Sequence, residues 1–201
     1  MAGEKTATYA IVGDVHGHLQ LALATLARWQ RERGRPFSAV FLCGDVGTFT
    51  EDSQLDSATR NHARDNPCEL EFLSQWSTVP AAPWLDVIFR PEPQGLGLCC
   101  PVVMVHGNHE GFAHLETLYP RRRRPAEPVP LESLPPVDTD GHILFLPPGW
   151  SARTSEGFSV GGVGGMEAGQ RRAKYHPMAY IEDDAVQHLL HSPPVDILLT
   201  H

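Results

Sequence analysis

The residues of this chain best suited to chemistry are carboxylates, imidazoles and one amide, spread over four short segments. "GDVHGH" (Gly13–His18) holds Asp14 and His16, and "CGDVG" (Cys43–Gly47) holds Asp45. "HGNHE" (His106–Glu110) holds Asn108, His109 and Glu110, and "LLTH" ends on His201. Oxygen and nitrogen donors without thiolate suit Mn, Fe(II) or Zn. A carboxylate set between two cations can bridge them, and cations ~3.5–4 Å apart clamp the attacking and leaving oxygens of an in-line displacement at phosphorus. Each segment alone is also an ordinary turn sequence, because Asp and Gly build turns.

What would bring them together is the run that precedes each. "TYAIV" (Tyr9 to Val12), "AVFLC" (Ala39 to Cys43), "PVVMVH" (Pro101 to His106) and "VDILLT" (Val195 to Thr200) are short, apolar and rich in β-branched residues, as doubly covered strands are. "HILFL" (His142 to Leu146) and "FSVGGV" (Phe158 to Val163) read as further, successive strands of a second sheet. Between the first two runs, Leu19, Leu23, Leu26 and Ala27 share one helical face, and Gly34 ends that helix. "CELEFLSQW", "GFAHLETLY" and "IEDDAVQHLLH" predict three more helices. Strand–helix–strand order predicts parallel pairing, and the carboxyl ends of parallel strands lie together, so the four segments can converge. The Pro- and Arg-rich stretch at about 120–137 predicts an irregular surface loop.

"GDVHG", "GDVG", "GNHE" and "LLTH", in this order after strands, resemble the calcineurin-like metallophosphoesterase superfamily from Asp14 to His201. The resemblance implies an α/β fold, a β-sandwich of two mixed sheets flanked by helices in a single domain over 1–201, and two divalent cations (Mn, Fe or Zn). It implies that Asp14 and His16 bind the first metal, Asp45 bridges both, and Asn108 and His201 bind the second. His109 is then the acid acting on the leaving oxygen, with Glu110 orienting it. "CGDVGTFTEDSQL", "GNHEGFAHL", "ILFLPPGWSARTSEGFSVGGVGG" and "PVDILLTH" are similar to RNA lariat debranching enzymes, which implies a phosphodiester substrate and RNA as one candidate. Those enzymes often carry Cys where this chain has Asp14. The superfamily's closing Gly-His-x-His is missing: apart from Gly17-His18 in the first motif, Gly-His occurs in "DGHILF", before the fifth motif, with Leu144 where the second histidine belongs. That departure predicts a C-terminally truncated domain, a frayed His201, weak metal occupancy and an incomplete sheet edge open to a partner or to self-association.

Other residues carry weaker signals. His18 reads as a helix-start residue and His106 as a packed strand histidine. "RRRR" (Arg121 to Arg124) reads as a solvated loop face, with phosphate contact as the alternative. Arg171, Arg172, Lys174 and His176 are candidate substrate contacts, Tyr175 and His176 being able to stack on a base. The glycines of "GGVGGMEAG" fit either close approach to a substrate or a tight bend. The four tryptophans read as core or core-edge residues.

Composition excludes little but directs the reading. The formal net charge of −8 gives no global attraction to nucleic acid or an anionic membrane. No run approaches the ~20 apolar residues of a membrane span, the N-terminus lacks a signal-peptide pattern, and the four cysteines form no disulfide framework. These point to a cytoplasmic protein without membrane contact. The rival functions are a protein or dinucleotide polyphosphate phosphatase, opposed by the absence of Asp-Arg-Gly after the second motif, and a non-catalytic interaction protein that retains the fold.

Overall fold

The computed structural model describes residues 7–55, 57–76, 84–119, 123–169 and 175–201. Eight strands, β1 (Tyr9–Val12), β2 (Ala39–Cys43), β3 (Val102–Val105), β4 (Val129–Pro130), β5 (Ile143–Phe145), β6 (Ser151–Arg153), β7 (Ser159–Val163) and β8 (Ile197–Thr200), form two four-stranded sheets. The first has the order β1-β2-β3-β5 and the second β4-β6-β7-β8. Five α-helices flank them: α1 (Leu19–Arg33), α2 (Ser57–Asp65), α3 (Trp84–Phe89), α4 (Phe112–Leu118) and α5 (Asp183–His191).

Alternation along the inner strands explains the layering. Val40 and Leu42 of β2, Val102 and Met104 of β3, and Ile143 and Phe145 of β5 pack in one core with Leu19, Leu23 and Leu26 of α1. Ala39, Phe41, Val103, Val105 and Leu144 turn to the other face and meet Ala152, Val160 and Leu199 of the second sheet. Strands apolar at every position are therefore buried on both faces, with a separate core on each side. Gly162 lets the sheets approach, because a Cβ there would lie 2.8 Å from Leu146 Cγ and 3.0 Å from Val105 Cγ1. Gly162 thus serves close packing between the sheets, a use that neither reading of the glycine run named. Trp29, expected at the core edge, is exposed.

Several expectations are corrected. The first sheet is parallel throughout, so only the second sheet is mixed, with β6 antiparallel to β7. "HILFL" and "FSVGGV" are split between the sheets, because β5 adds to β3 while β7 pairs with β6 and β8. "CELEFLSQW" forms two 3-10 turns, Pro67–Leu70 and Leu73–Trp76, in place of one α-helix. Within 120–137, Val129–Pro130 pairs with β6 and Leu131–Ser133 makes a 3-10 turn, so that stretch is not wholly irregular. The helix α1 ends as expected, at Gly34 with φ 67°. No described helix is long and apolar enough to cross a membrane.

Candidate metal centre

Three parallel strands deliver the first groups. Asp14, Asp45 and Asn108 each follow the carboxyl end of β1, β2 or β3, the crevice where open parallel sheets place their ligands. β8 pairs with β7 through Thr200 and brings His201 to the same end from the second sheet. The backbone bends hard at two of these points: His16 has φ 41° and Asp45 φ 48°, left-handed conformations uncommon outside glycine. Such strain persists where surrounding structure over-determines it, and it gathers at functional sites.

Asp45 sits at the centre, buried at 3% exposure. Its Oδ2 lies 3.9 Å from His16 Nε2, which lies 3.1 Å from Asp14 Oδ2. Its Oδ1 lies 3.6 Å from His201 Nε2, which lies 3.1 Å from Asn108 Oδ1. One carboxylate therefore faces two separate groups of donors, one through each oxygen. The donor atoms of Asp14, His16 and Asp45 all lie within 4.8 Å of one another. Asp14 and His16 keep 50% and 44% of their side chains exposed, so this half of the centre opens to solvent.

His201 is held rather than frayed. Its Nδ1 lies 2.9 Å from the Cys43 carbonyl oxygen. A carbonyl only accepts, so Nδ1 carries a proton in this bond, and Nε2 is the ring atom left to act as a ligand. With Nε2 unprotonated, that nitrogen, Asn108 Oδ1 and Asp45 Oδ1 face one another as three atoms able to donate electron pairs to a cation. A divalent cation suits such a donor set, and three protein ligands with water completing the sphere is the pattern of catalytic metal sites. The residues present fit two cations.

Two glycines make this approach possible. A Cβ on Gly44 (φ 94°) would stand 2.6 Å from His201 Nδ1, and one on Gly107 would run into Asp45 Oδ1.

His109 is half-buried beside the centre. Its backbone N–H donates to Asp45 Oδ1 at 2.8 Å, and its ring lies 6.2 Å from that of His16. Glu110 is different. It is buried at 3% exposure, and its carboxylate accepts from the N–H groups of Val46 (3.0 Å), Thr48 (2.9 Å) and Gly107 (3.2 Å) and from the Thr48 hydroxyl (2.8 Å). Burial, and next the Asp45 carboxylate, push its pKa up to about 7, while the Thr48 and Gly107 donors oppose the rise. Named beside His109 as a catalytic candidate that orients it, Glu110 clamps the Asp45 loop to the Asn108 loop from beneath. Thr48, fully buried, was not singled out in the sequence; its only signal is its place directly after "GDVG".

Of the candidate substrate contacts, Arg171, Arg172 and Lys174 lie outside the described residues, as do Arg121 and Arg122. His176 stacks on Phe112 with centroids 4.9 Å apart and planes 7° apart. Arg124 is not a free phosphate ligand: its guanidinium bonds Glu182 and Asp184 at 2.8 Å each, and its Nε donates to the Pro148 carbonyl at 3.1 Å. His18 caps the start of α1 by position, and His106 is fully buried with its ring edge-on to Phe112 and Phe145. The Gly-His of "DGHILF" is far from this centre. His142 stands at the amino end of β5, grouped with Asp86 and Asp140, at the opposite end of the first sheet.

Compared with known proteins, residues 7–201 match the family model of the calcineurin-like phosphoesterases. No curated protein matches the chain.

Proposed function

Because the chain belongs to the calcineurin-like phosphoesterase family, a family of metal-dependent phosphoester hydrolases, we propose that it hydrolyses a phosphodiester at a two-cation centre spanned by Asp45. The observation that carries this reading is the division of the Asp45 carboxylate, Oδ2 toward His16 and Oδ1 toward His201. Asp14 and His16 would hold one cation, and Asn108 and His201 the other. When bound, such cations supply Lewis acidity, offsetting charge on the phosphoryl oxygens and lowering the pKa of water.

The chain's own residues do the rest. His109, next in sequence to Asn108 and half-exposed, donates a proton to the leaving oxygen, a task suited to an imidazole that titrates near neutrality. Its backbone bond to Asp45 fixes where that ring starts from. Glu110 and Thr48 keep the two loops in register under the centre. The likeness of "CGDVGTFTEDSQL" and "GNHEGFAHL" to lariat debranching enzymes supports the diester over the monoester and makes RNA a candidate substrate.

The test is hydrolysis of bis-p-nitrophenyl phosphate and p-nitrophenyl phosphate with added Mn²⁺, using Asp45→Asn as the control. Faster turnover of the diester, abolished by the substitution, is expected. Preference for the monoester would move the reading to a phosphatase, and silence with both esters would leave a binding protein that retains the fold.

A further inference from the structure

Beside Asn108 lies a cavity of about 310 Å³ whose walls include Phe49, Gln54, Phe112, Tyr175 and His176. Its volume falls at the lower end of the range for small-molecule sites, which are mostly apolar with a few placed polar groups. The walls are set in advance. Phe49 is buried. The His176 ring lies parallel to Phe112, its Nδ1 accepts the Met178 N–H at 3.3 Å, and its Nε2 is 3.8 Å from Glu116 Oε1. Gln54 is fixed through its amide to the backbone N–H of Thr50 at 2.9 Å and to the Thr50 hydroxyl.

A flat, doubly layered aromatic wall favours a planar ring over a flexible chain, because stacking needs a π-face. Of the two side-chain amides at the rim, Gln54 spends Oε1 and one Nε2 hydrogen on Thr50, and Asn108 turns Oδ1 to His201. What they offer a ligand is therefore amide N–H, which suits a ring with acceptor atoms at its edge over a bare phenyl group. A planar ring with polar edges, joined to a phosphate that reaches the Asn108 end, is a nucleotide.

We propose that this cavity is a nucleobase subsite, so that the phosphoester treated at the adjoining centre belongs to a nucleotide whose base lies against the Phe112–His176 pair. The proposal rests on the phosphoesterase reading for its catalytic consequence, but base binding can be measured apart from it.

The experiment is calorimetric titration of the whole chain with adenosine 5′-monophosphate, ribose 5-phosphate, phenyl phosphate and adenosine. Base stacking on aromatic side chains predicts that the nucleotide binds about tenfold or more tightly than ribose 5-phosphate or phenyl phosphate. Phe112→Ala should erase that margin and leave ribose 5-phosphate unaffected. Since Phe112 also packs against the core, the exposed neighbour Ala113, which lines the same cavity, supplies a second variant: Ala113→Trp should fill the space and remove the margin without deleting a core contact. Equal affinity for the nucleotide and ribose 5-phosphate would overturn the subsite. So would phenyl phosphate binding as tightly as the nucleotide, which would indicate an aryl ester, or an undiminished margin in both variants. Adenosine has no phosphate, so its binding without turnover of any ester sinks the hydrolase reading and keeps the subsite. Turnover with no base preference does the reverse.

Discussion

The Nδ1 of His201 lies 2.9 Å from the Cys43 carbonyl oxygen, a contact between the last residue after β8 and the last residue of β2. It joins the two sheets at the end where the polar loops gather. It also bears on the chemistry, because with Nδ1 engaged it is Nε2 that faces Asn108 and Asp45. Histidine ligands gain orientation from such a bond to the other ring nitrogen.

His109→Ala should separate binding from chemistry. The variant keeps its cations, seen by elemental analysis, and loses turnover by about 10²–10⁴-fold, the usual contribution of a positioned acid. Turnover at the original rate would remove the acid role.

Gly107→Ala tests the crowding around Asp45. A methyl group there meets the Asp45 carboxylate and backbone nitrogen, which must move. We expect the protein to fold, since the loop lies at the sheet margin, with cation affinity lowered by about tenfold or more, the loss typical when a ligand's surroundings are disturbed. Titration with Mn²⁺ reads the change directly.

Glu110 gives a pH prediction for the metal-free protein. Its folded pKa is raised from the ordinary 4.5 to about 7, so folding binds a proton between those values. Its contribution is therefore most favourable below about 4.5 and is lost progressively as pH rises through about 7. Chemical denaturation of the wild type against Glu110→Gln should show this slope in the difference between the two curves. At low pH the variant should be less stable, by about 1–3 kcal/mol, because each carboxylate oxygen accepts two donors and an amide nitrogen would confront them, and this deficit should shrink as pH rises through about 7.

Arg124→Ala should affect stability and leave catalysis alone. The side chain is 11% exposed and pairs with a Glu182 that is 16% exposed, so its removal leaves a largely buried carboxylate without that cation. A loss of about 1.5–3 kcal/mol is expected from charged hydrogen bonds of this kind, measured by urea denaturation. A raised KM with unchanged stability would restore the phosphate-binding alternative.

The parts of the fold that could be read in advance share a physical cause. β2 and β3 are apolar at every position because both faces are covered, and α1 carries a regular apolar stripe closed by Gly34. Of the helices not anticipated, α2 ("SATRNHARD") offers no stripe of large apolar residues: Thr59 is its buried residue, and Ala58 and Ala63 are half-buried. β4 and β6 are too short for alternation to register. "CELEFLSQW" has helical composition, but Pro67 starts a tight turn and the segment packs under the Asp14 and Asp45 loops, where Gly17 and Gly47 approach it. The ligand candidates were legible because each follows a strand. The Cys43 carbonyl and the Thr48 hydroxyl were not, since a backbone oxygen and a buried hydroxyl leave no motif. The aromatic cavity draws on three separate segments, which only the folded chain brings together.

Electron paramagnetic resonance of the protein titrated with Mn²⁺ tests the central claim most directly. If Asp45 spans two cations, the wild type takes up two ions per chain and shows an exchange-coupled spectrum that Asp45→Asn abolishes. Uptake of a single uncoupled ion, or of none, in the wild type would contradict the two-cation centre.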